Sequence, residues 1–242
     1  ILTGEGETLY EKANYILQYC TELQSDCFGL SRNKPPIRIG IPPMLSTVFF
    51  PELLTAFQKE YPDVPVMLEE YASVRACNLV QNDSLDLALV NMEQYNIDKF
   101  HHALLANDQV VFCVSKEHPL VRKEEATIQD MAQIPLIFFN GDSVQNQLLK
   151  IRFELEGFTP HVLMHNSQIY TTLQFLKNNN CGCFLYSSMT DKFPDIVQLP
   201  LKPPLFIKIG MIWKKGKYIS NDMQTFLNFT RKYYKDHPLI KE

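Results

Sequence analysis

The sequence is short of glycine: 242 residues hold nine, about half the usual share of ~7%, so glycine-rich phosphate cradles are not expected in it. It also lacks a basic surplus. Twenty-three Lys and Arg stand against 27 Asp and Glu, a formal net charge of −4, where a domain that neutralises many phosphates shows the opposite balance. Direct binding of nucleic acid by this segment is therefore not expected. No apolar run approaches the roughly eighteen residues that a bilayer crossing needs. Glu5, Glu7 and Glu11 stand where an export signal would carry basic and then apolar residues, so secretion is not expected. The first residue is not Met, and the chain reads as processed or as a fragment. Disulfide staples are not called for either. Cys20, Cys27, Cys77, Cys113, Cys181 and Cys183 are scattered through a long chain, which reads as reduced thiols in the cytoplasm. What is present is an ordinary folded composition, 45% hydrophobic and 21% charged, with room for one large or two average domains.

Enzyme motifs fail one by one. Gly210 to Lys217 has the look of a phosphate loop, but its glycines are one residue too far apart and Tyr218 replaces the required hydroxyl after the Lys. Gly141-Asp142-Ser143 lacks the second glycine of a nucleophile elbow. His161 and His165 would share a strand face with no third ligand in sight. Cys181-Gly182-Cys183 could hold a metal or form a redox pair, yet small buried residues at the entry to a strand is the simpler account. The pairs Glu69-Glu70 and Glu124-Glu125 do not converge as a carboxylate dyad must. Neither catalysis nor a required metal or cofactor is expected.

The hydrophobic periods give an order of elements. Leu9, Ala13, Ile16, Cys20, Leu23 and Cys27 alternate spacings of four and three, a narrow coiled-coil seam over about three heptads, with Thr8 and Glu11 as an expected capping box. An ordinary core helix is the alternative. Residues 31–36 break the helix as a linker. Strands at 37–41, 64–71 and 86–90 then alternate with helices carrying Phe50, Leu53, Leu54, Phe57 and Tyr61, and Ala76, Leu79 and Val80. Such a series predicts a parallel sheet with helices on its faces. A second series follows, with strands at 110–114, 135–139, 161–165, 183–186, 197–201 and 207–213. Thr127 with Asp130, Ser143, Ser167 and Ser220 are expected to cap its helices.

Ligands of open parallel sheets bind outside the carboxyl ends of the strands, where loops lead into helix N-termini. Ser46 and Thr47, Ser73, Asn91, Asn140, Asp142 and Ser143, and Asn166, Ser167 and Gln168 occupy such positions. They are candidate effector contacts; equally they are N-caps worth about 1 kcal/mol each, and the two roles are compatible.

The chain resembles the C-terminal part of a LysR-type transcriptional regulator. Leu2-Thr3 with the helix from Leu9 is similar to the exit from a winged helix-turn-helix into a dimerising linker helix. Ile37-Arg38-Ile39-Gly40, Phe50-Pro51-Glu52-Leu53-Leu54, Tyr61-Pro62-Asp63-Val64, Leu85-Asp86-Leu87-Ala88-Leu89 and His118-Pro119-Leu120 match the family's effector domain in order and spacing. Two departures stand out: Asn178-Asn179-Asn180-Cys181-Gly182-Cys183 keeps one glycine of a glycine-rich turn, and Ser187-Ser188 replaces a proline. The resemblance implies an α/β, two-lobed fold like the type 2 periplasmic binding proteins, preceded by the linker helix. The linker would be residues 1–33, lobe I 34–108 and 217–242, and lobe II 109–216. It places the effector between the lobes, with contacts in the loops named above; four polar helix starts facing one cleft would suit a small polar, carboxylate-bearing effector. It also implies a homodimer or homotetramer through Leu9, Ala13, Ile16, Cys20 and Leu23, and DNA contact only through a winged helix outside this sequence. A solute-binding protein of a transport system shares the lobed fold and is the alternative, separable by mass in solution, since a transport receptor is monomeric.

Overall fold

The computed structural model describes residues 3–28, 34–93, 97–178 and 180–238. Leu2, linker residues 31–33 and Asn179 lie outside them, as do the side chains of Glu11 and Cys27. Helix α1, Gly4–Phe28, starts a turn earlier than expected. Thr3 Oγ1 accepts from the Gly6 N–H at 3.2 Å, while the Thr8 hydroxyl lies within the helix and donates to the Gly4 carbonyl. Glu5 and Glu7 favour this start, because carboxylates stabilise the positive end of a helix dipole.

The first α/β run is β1 (Ile37–Ile41), α2 (Pro43–Val48), α3 (Phe50–Glu60), β2 (Val66–Glu70), α4 (Ser73–Gln81) and β3 (Leu87–Asn91). The long strand β4 (Phe100–Ser115) leads into a second run: α5 (Ile128–Met131), β5 (Leu136–Phe138), α6 (Val144–Leu155), β6 (Val162–His165), α7 (Ile169–Asn178), β7 (Gly182–Tyr186) and α8 (Ser187–Thr190). A second long strand, β8 (Ile196–Lys214), and the helix α9 (Asn221–Asp236) close the chain. The eight strands of the described residues form one mixed sheet in the order β2-β1-β3-β8-β4-β7-β5-β6. β1 pairs parallel with β2 and β3, and β5 pairs parallel with β6 and β7. Each run thus builds one parallel three-stranded lobe, and the antiparallel pair β4 and β8 passes through both.

Those crossing strands are where the sequence misleads. β4 was expected only from Val110, because His101, His102, Asn107, Asp108 and Gln109 in its first half hide the apolar alternation. The strands expected at 197–201 and 207–213 are two halves of β8. Pairing with β4 steps from Val111↔Pro200 to Val110↔Leu205, so residues 201–204 bulge out of register; the prolines at 203 and 204 have no N–H for the ladder. Arg152 of α6 donates to the carbonyls of both prolines and holds the bulge against the second lobe. Ile209 to Ile212, placed with lobe II by the sequence reading, pair with β3 of the first lobe. At Gly210 the sheet leaves no room for a side chain: a Cβ there would overlap Met92 Sδ and lie 2.9 Å from the Ala103 carbonyl oxygen.

Asp86 ties the first lobe together. Its carboxylate accepts from the Arg38 backbone N–H at 2.9 Å, from Arg38 Nε and Nη2 at 3.1 and 2.9 Å, and from Lys217 Nζ at 2.9 Å. Burial alone would raise its pKa, but the Arg38 hydrogen bonds and the Lys217 charge outweigh burial and hold it below the usual carboxylate value. A depressed folded-state pKa contributes stability above the unfolded pKa and loses it as pH falls through the folded value. Asp86→Asn should therefore cost about 2 kcal/mol at neutral pH. The gap between variant and wild type should close as pH drops below the ordinary carboxylate range, in urea titrations run across pH. An equal gap at every pH would show that the carboxylate charge is not the stabilising feature.

Candidate functional site

The carboxyl ends of β1, β2, β3, β5, β6 and β7 open onto one cleft of about 190 Å³ between the lobes. The first lobe contributes Pro42 and Pro43, Glu70 to Ser73, Arg75 and Asn91; the second contributes Phe139, Asn140, Asp142 to Val144, Ser167 and Tyr186. The structure thus brings together six of the ten candidates: Ser73, Asn91, Asn140, Asp142, Ser143 and Ser167. Ser46, Thr47, Asn166 and Gln168 are not in the lining.

The excluded residues have local duties. Ser46 and Thr47 sit inside α2, a short helix the sequence reading missed, and both hydroxyls donate to the Pro43 carbonyl, at 2.8 and 3.0 Å. Asn166 folds over its own loop: Oδ1 accepts from the Gln168 N–H at 3.1 Å, and Nδ2 donates to the Gln168 carbonyl and to Thr172 Oγ1. Such Asx turns need only neighbouring backbone.

The expected capping roles hold in part. Thr127 with Asp130 makes a full capping box, and Ser220 accepts from the Met223 N–H. In the cleft the caps fail. Ala72, not Ser73, is the N-cap of α4, and it has no side-chain oxygen to offer. Ser73 Oγ instead accepts from the Asn91 N–H at 3.2 Å and joins α4 to the end of β3. Ser143 occupies the N-cap position of α6 without making the capping bond. Ser167 lies two residues before α7, which begins at Ile169. Ser73, Ser143 and Ser167 thus line the cleft without capping a helix.

Asn91 is the most constrained of them. Only 2% of it is exposed, its Oδ1 accepts from the Glu93 N–H at 3.0 Å, and its Nδ2 has no acceptor among the described residues. A buried N–H without an acceptor costs roughly 1–3 kcal/mol, and the Tyr186 phenol is the neighbour that partly offsets it. Tyr186 lies beside it. Burial pushes the phenol well above its usual pKa, the Asn91 amide opposes that shift, and the charge of Asp108 adds to it. Asp108 itself is buried on β4, where burial raises its pKa against the hydrogen bonds from Ser188 and Gln109. Its oxygens take the Ser188 hydroxyl at 2.5 Å and the Gln109 N–H at 2.7 Å.

The second-lobe wall is held from below. Gln145 Nε2 donates to the Phe184 carbonyl at 2.9 Å, the Asn166 N–H donates to the Phe138 carbonyl at 2.8 Å, and His165 Nδ1 lies 3.0 Å from the Phe139 carbonyl. Gln145 Oε1 and Asn146 Oδ1 are buried in the first turn of α6 and have no donor among the described residues. Sequence reasoning missed Glu70, Arg75 and Tyr186. Glu70 and Tyr186 end β2 and β7 and satisfy the strand-end rule as it stands; Arg75 is within two residues of Ser73. Cys181, Cys183 and Cys113 are buried away from the lining, with Cys183 directly opposite Cys113 on β4, and burial raises the Cys183 thiol pKa strongly. No disulfide forms among the described residues.

The sequence profile of the LysR substrate binding domain matches residues 31–235. The chain is 28% identical over 207 residues to the HTH-type transcriptional regulator YwbI of Bacillus subtilis (strain 168), covering 84% of this chain and 68% of that one. Among solved structures it is similar to the Synechocystis PCC6803 CcmR regulatory domain in complex with 2-PG, with a TM-score of 0.75, 18% identity, and coverage of 83% of this chain and 98% of the other. It is also similar to the effector binding domain of QuiR in complex with shikimate, with a TM-score of 0.69, 21% identity, and coverage of 85% and 99%.

Proposed function

The chain belongs to the LysR substrate-binding-domain family, and on that premise we propose that its interlobe cleft senses a small, polar, carboxylate-bearing effector for a homo-oligomeric, cytoplasmic transcription regulator. DNA contact belongs in this reading to the regulator's winged helix-turn-helix, and the domain itself carries out no catalysis and needs no cofactor. The observation that carries the reading is Asn91: a buried amide donor with no well-formed acceptor among the described residues, in a cleft that also receives the positive end of α4. The solved structures in complex with 2-PG and with shikimate support it, since in each a domain of this fold holds a small ligand. An effector that touches both walls favours the closed arrangement by its differential affinity, and closure changes the geometry presented to a second subunit.

The test is a thermal-shift screen of small carboxylates, since a ligand bound only by the folded state raises its apparent stability. Titrating the hit into Asn91→Ala and Ser143→Ala should show the first variant binding about ten- to a hundredfold more weakly, the worth of one hydrogen bond to a charged group. Unchanged affinity in both folded variants would move the site out of the cleft.

A further inference from the structure

The charges of the cleft say more about its ligand than its hydroxyls do. Glu70 and Asp142 line it from opposite lobes, and Arg75 is the lone cation in the lining. None of the three has an ion-pair partner among the described residues, where ten other pairs form. The Arg75 guanidinium lies over the Tyr71 ring, 4.9 Å from its centroid, and the Tyr71 hydroxyl is turned away to donate to Glu69 at 2.6 Å. Glu70 has only the Ser46 hydroxyl near it, at 3.3 Å, and that hydroxyl donates first to the Pro43 carbonyl at 2.8 Å. A ligand with anionic groups alone would be answered by Arg75 and Asn91 but would bring its charge against two carboxylates as the cleft closes. A cation alone would leave the Asn91 donor and Arg75 unanswered.

We infer that the effector is a zwitterion of α-amino-acid type, its carboxylate held on the first lobe by Asn91 Nδ2, Arg75 and the positive end of α4, and its ammonium facing Asp142 of the second. Glu70 adds a second negative charge at the rim. One molecule then satisfies opposite charges on opposite walls, which is what makes closure depend on its presence: the carboxylate alone engages one lobe, the amine alone the other. The uncapped start of α4 fits this assignment, because Ala72 gives its N-terminus no internal anion substitute. The inference rests on the cleft reading above and adds the chemical class of the ligand.

The experiment is calorimetric titration of the full chain with the common L-α-amino acids, and, for each that binds, with its 2-hydroxy acid and its decarboxylated amine. At least one amino acid should bind, with both analogues weaker by about tenfold or more. Asp142→Asn should bring amino acid and hydroxy acid to within about threefold of each other, while Asn91→Ala weakens both, as loss of a carboxylate contact requires. A hydroxy acid that equals its amino acid, or no amino acid binding below about 1 mM, overturns the zwitterion. A ligand weakened by Asn91→Ala but indifferent to Asp142→Asn also overturns it and leaves the cleft reading standing. A ligand indifferent to both variants removes both.

Discussion

Phe57→Ala should lower the unfolding free energy by about 4 kcal/mol, the largest single-residue loss expected in the first lobe. Phe57 is fully buried on α3 and, with Phe49, Phe50 and Tyr61, is one of the rings through which the last helix joins the lobe. It stacks on Tyr61 at 5.2 Å between centroids and meets Phe226 and Phe229 of α9 edge-on, at 4.9 and 5.3 Å. Truncation removes the transfer energy of the ring and leaves a cavity whose walls belong to two helices far apart in sequence. Such walls relax poorly, and the cost lies at the upper end of its range. Urea unfolding measures the loss, and hydrogen exchange should show α9 losing protection together with α3. Leu155→Ala is the control: that side chain is 81% exposed on α6, and its removal should change stability by less than about 0.5 kcal/mol. A loss below about 1 kcal/mol at Phe57 would mean that α9 is not docked through this aromatic cluster.

Phe57 also shows which parts of the fold were legible in the sequence. The stripe Phe50, Leu53, Phe57 has one period and one face, and its burial follows from local pattern. The parallel strands are equally plain: residues 37–41 alternate, and residues 87–90, covered on both faces, read as a continuous apolar run. β4 and β8 are not plain. Their polar stretches lie where the strands pass between lobes, and only the antiparallel partner across the sheet makes those stretches strand. The site divides in the same way. Strand ends are readable, and Ser73, Asn91, Asn140, Asp142, Ser143 and Ser167 follow from them. Whether a hydroxyl caps a helix or faces a cleft depends on a turn's exact start: α4 takes Ala72 as its cap and frees Ser73, while α2 takes Ser46 and Thr47 inside a helix that has Pro43 in its first turn. Arg75 escaped because its role depends on what it lacks, a carboxylate partner, and no sequence pattern displays that.

Charge placed on the α1 seam should dissociate the oligomer that the proposed function requires. Leu9, Ile16 and Leu23 are 69%, 64% and 69% exposed, and Ala13 and Cys20 between them are exposed as well. Tyr10, Leu17 and Tyr19 widen this apolar face beyond the narrow seam that the heptad pattern suggested. A 25-residue helix with these apolar residues in water gains little from propensity, and most helical stability comes from covering such a face. Burying each seam Leu or Ile against a second copy contributes roughly 1.5–3 kcal/mol. The triple variant Leu9→Glu, Ile16→Glu, Leu23→Glu should thus weaken association by at least about a thousandfold, before the repulsion between facing carboxylates is counted. Sedimentation at micromolar concentration should find the wild type as a dimer or tetramer and the variant dissociated. Deleting residues 1–30 separates the contributions: association that survives the deletion comes from the lobes, and a variant that remains fully dimeric would assign the whole interface to them. A wild type that sediments as a monomer would instead make the seam a stripe covered from elsewhere in its own chain, because Leu9, Ile16 and Leu23 together expose an apolar stripe of the kind that marks a contact surface.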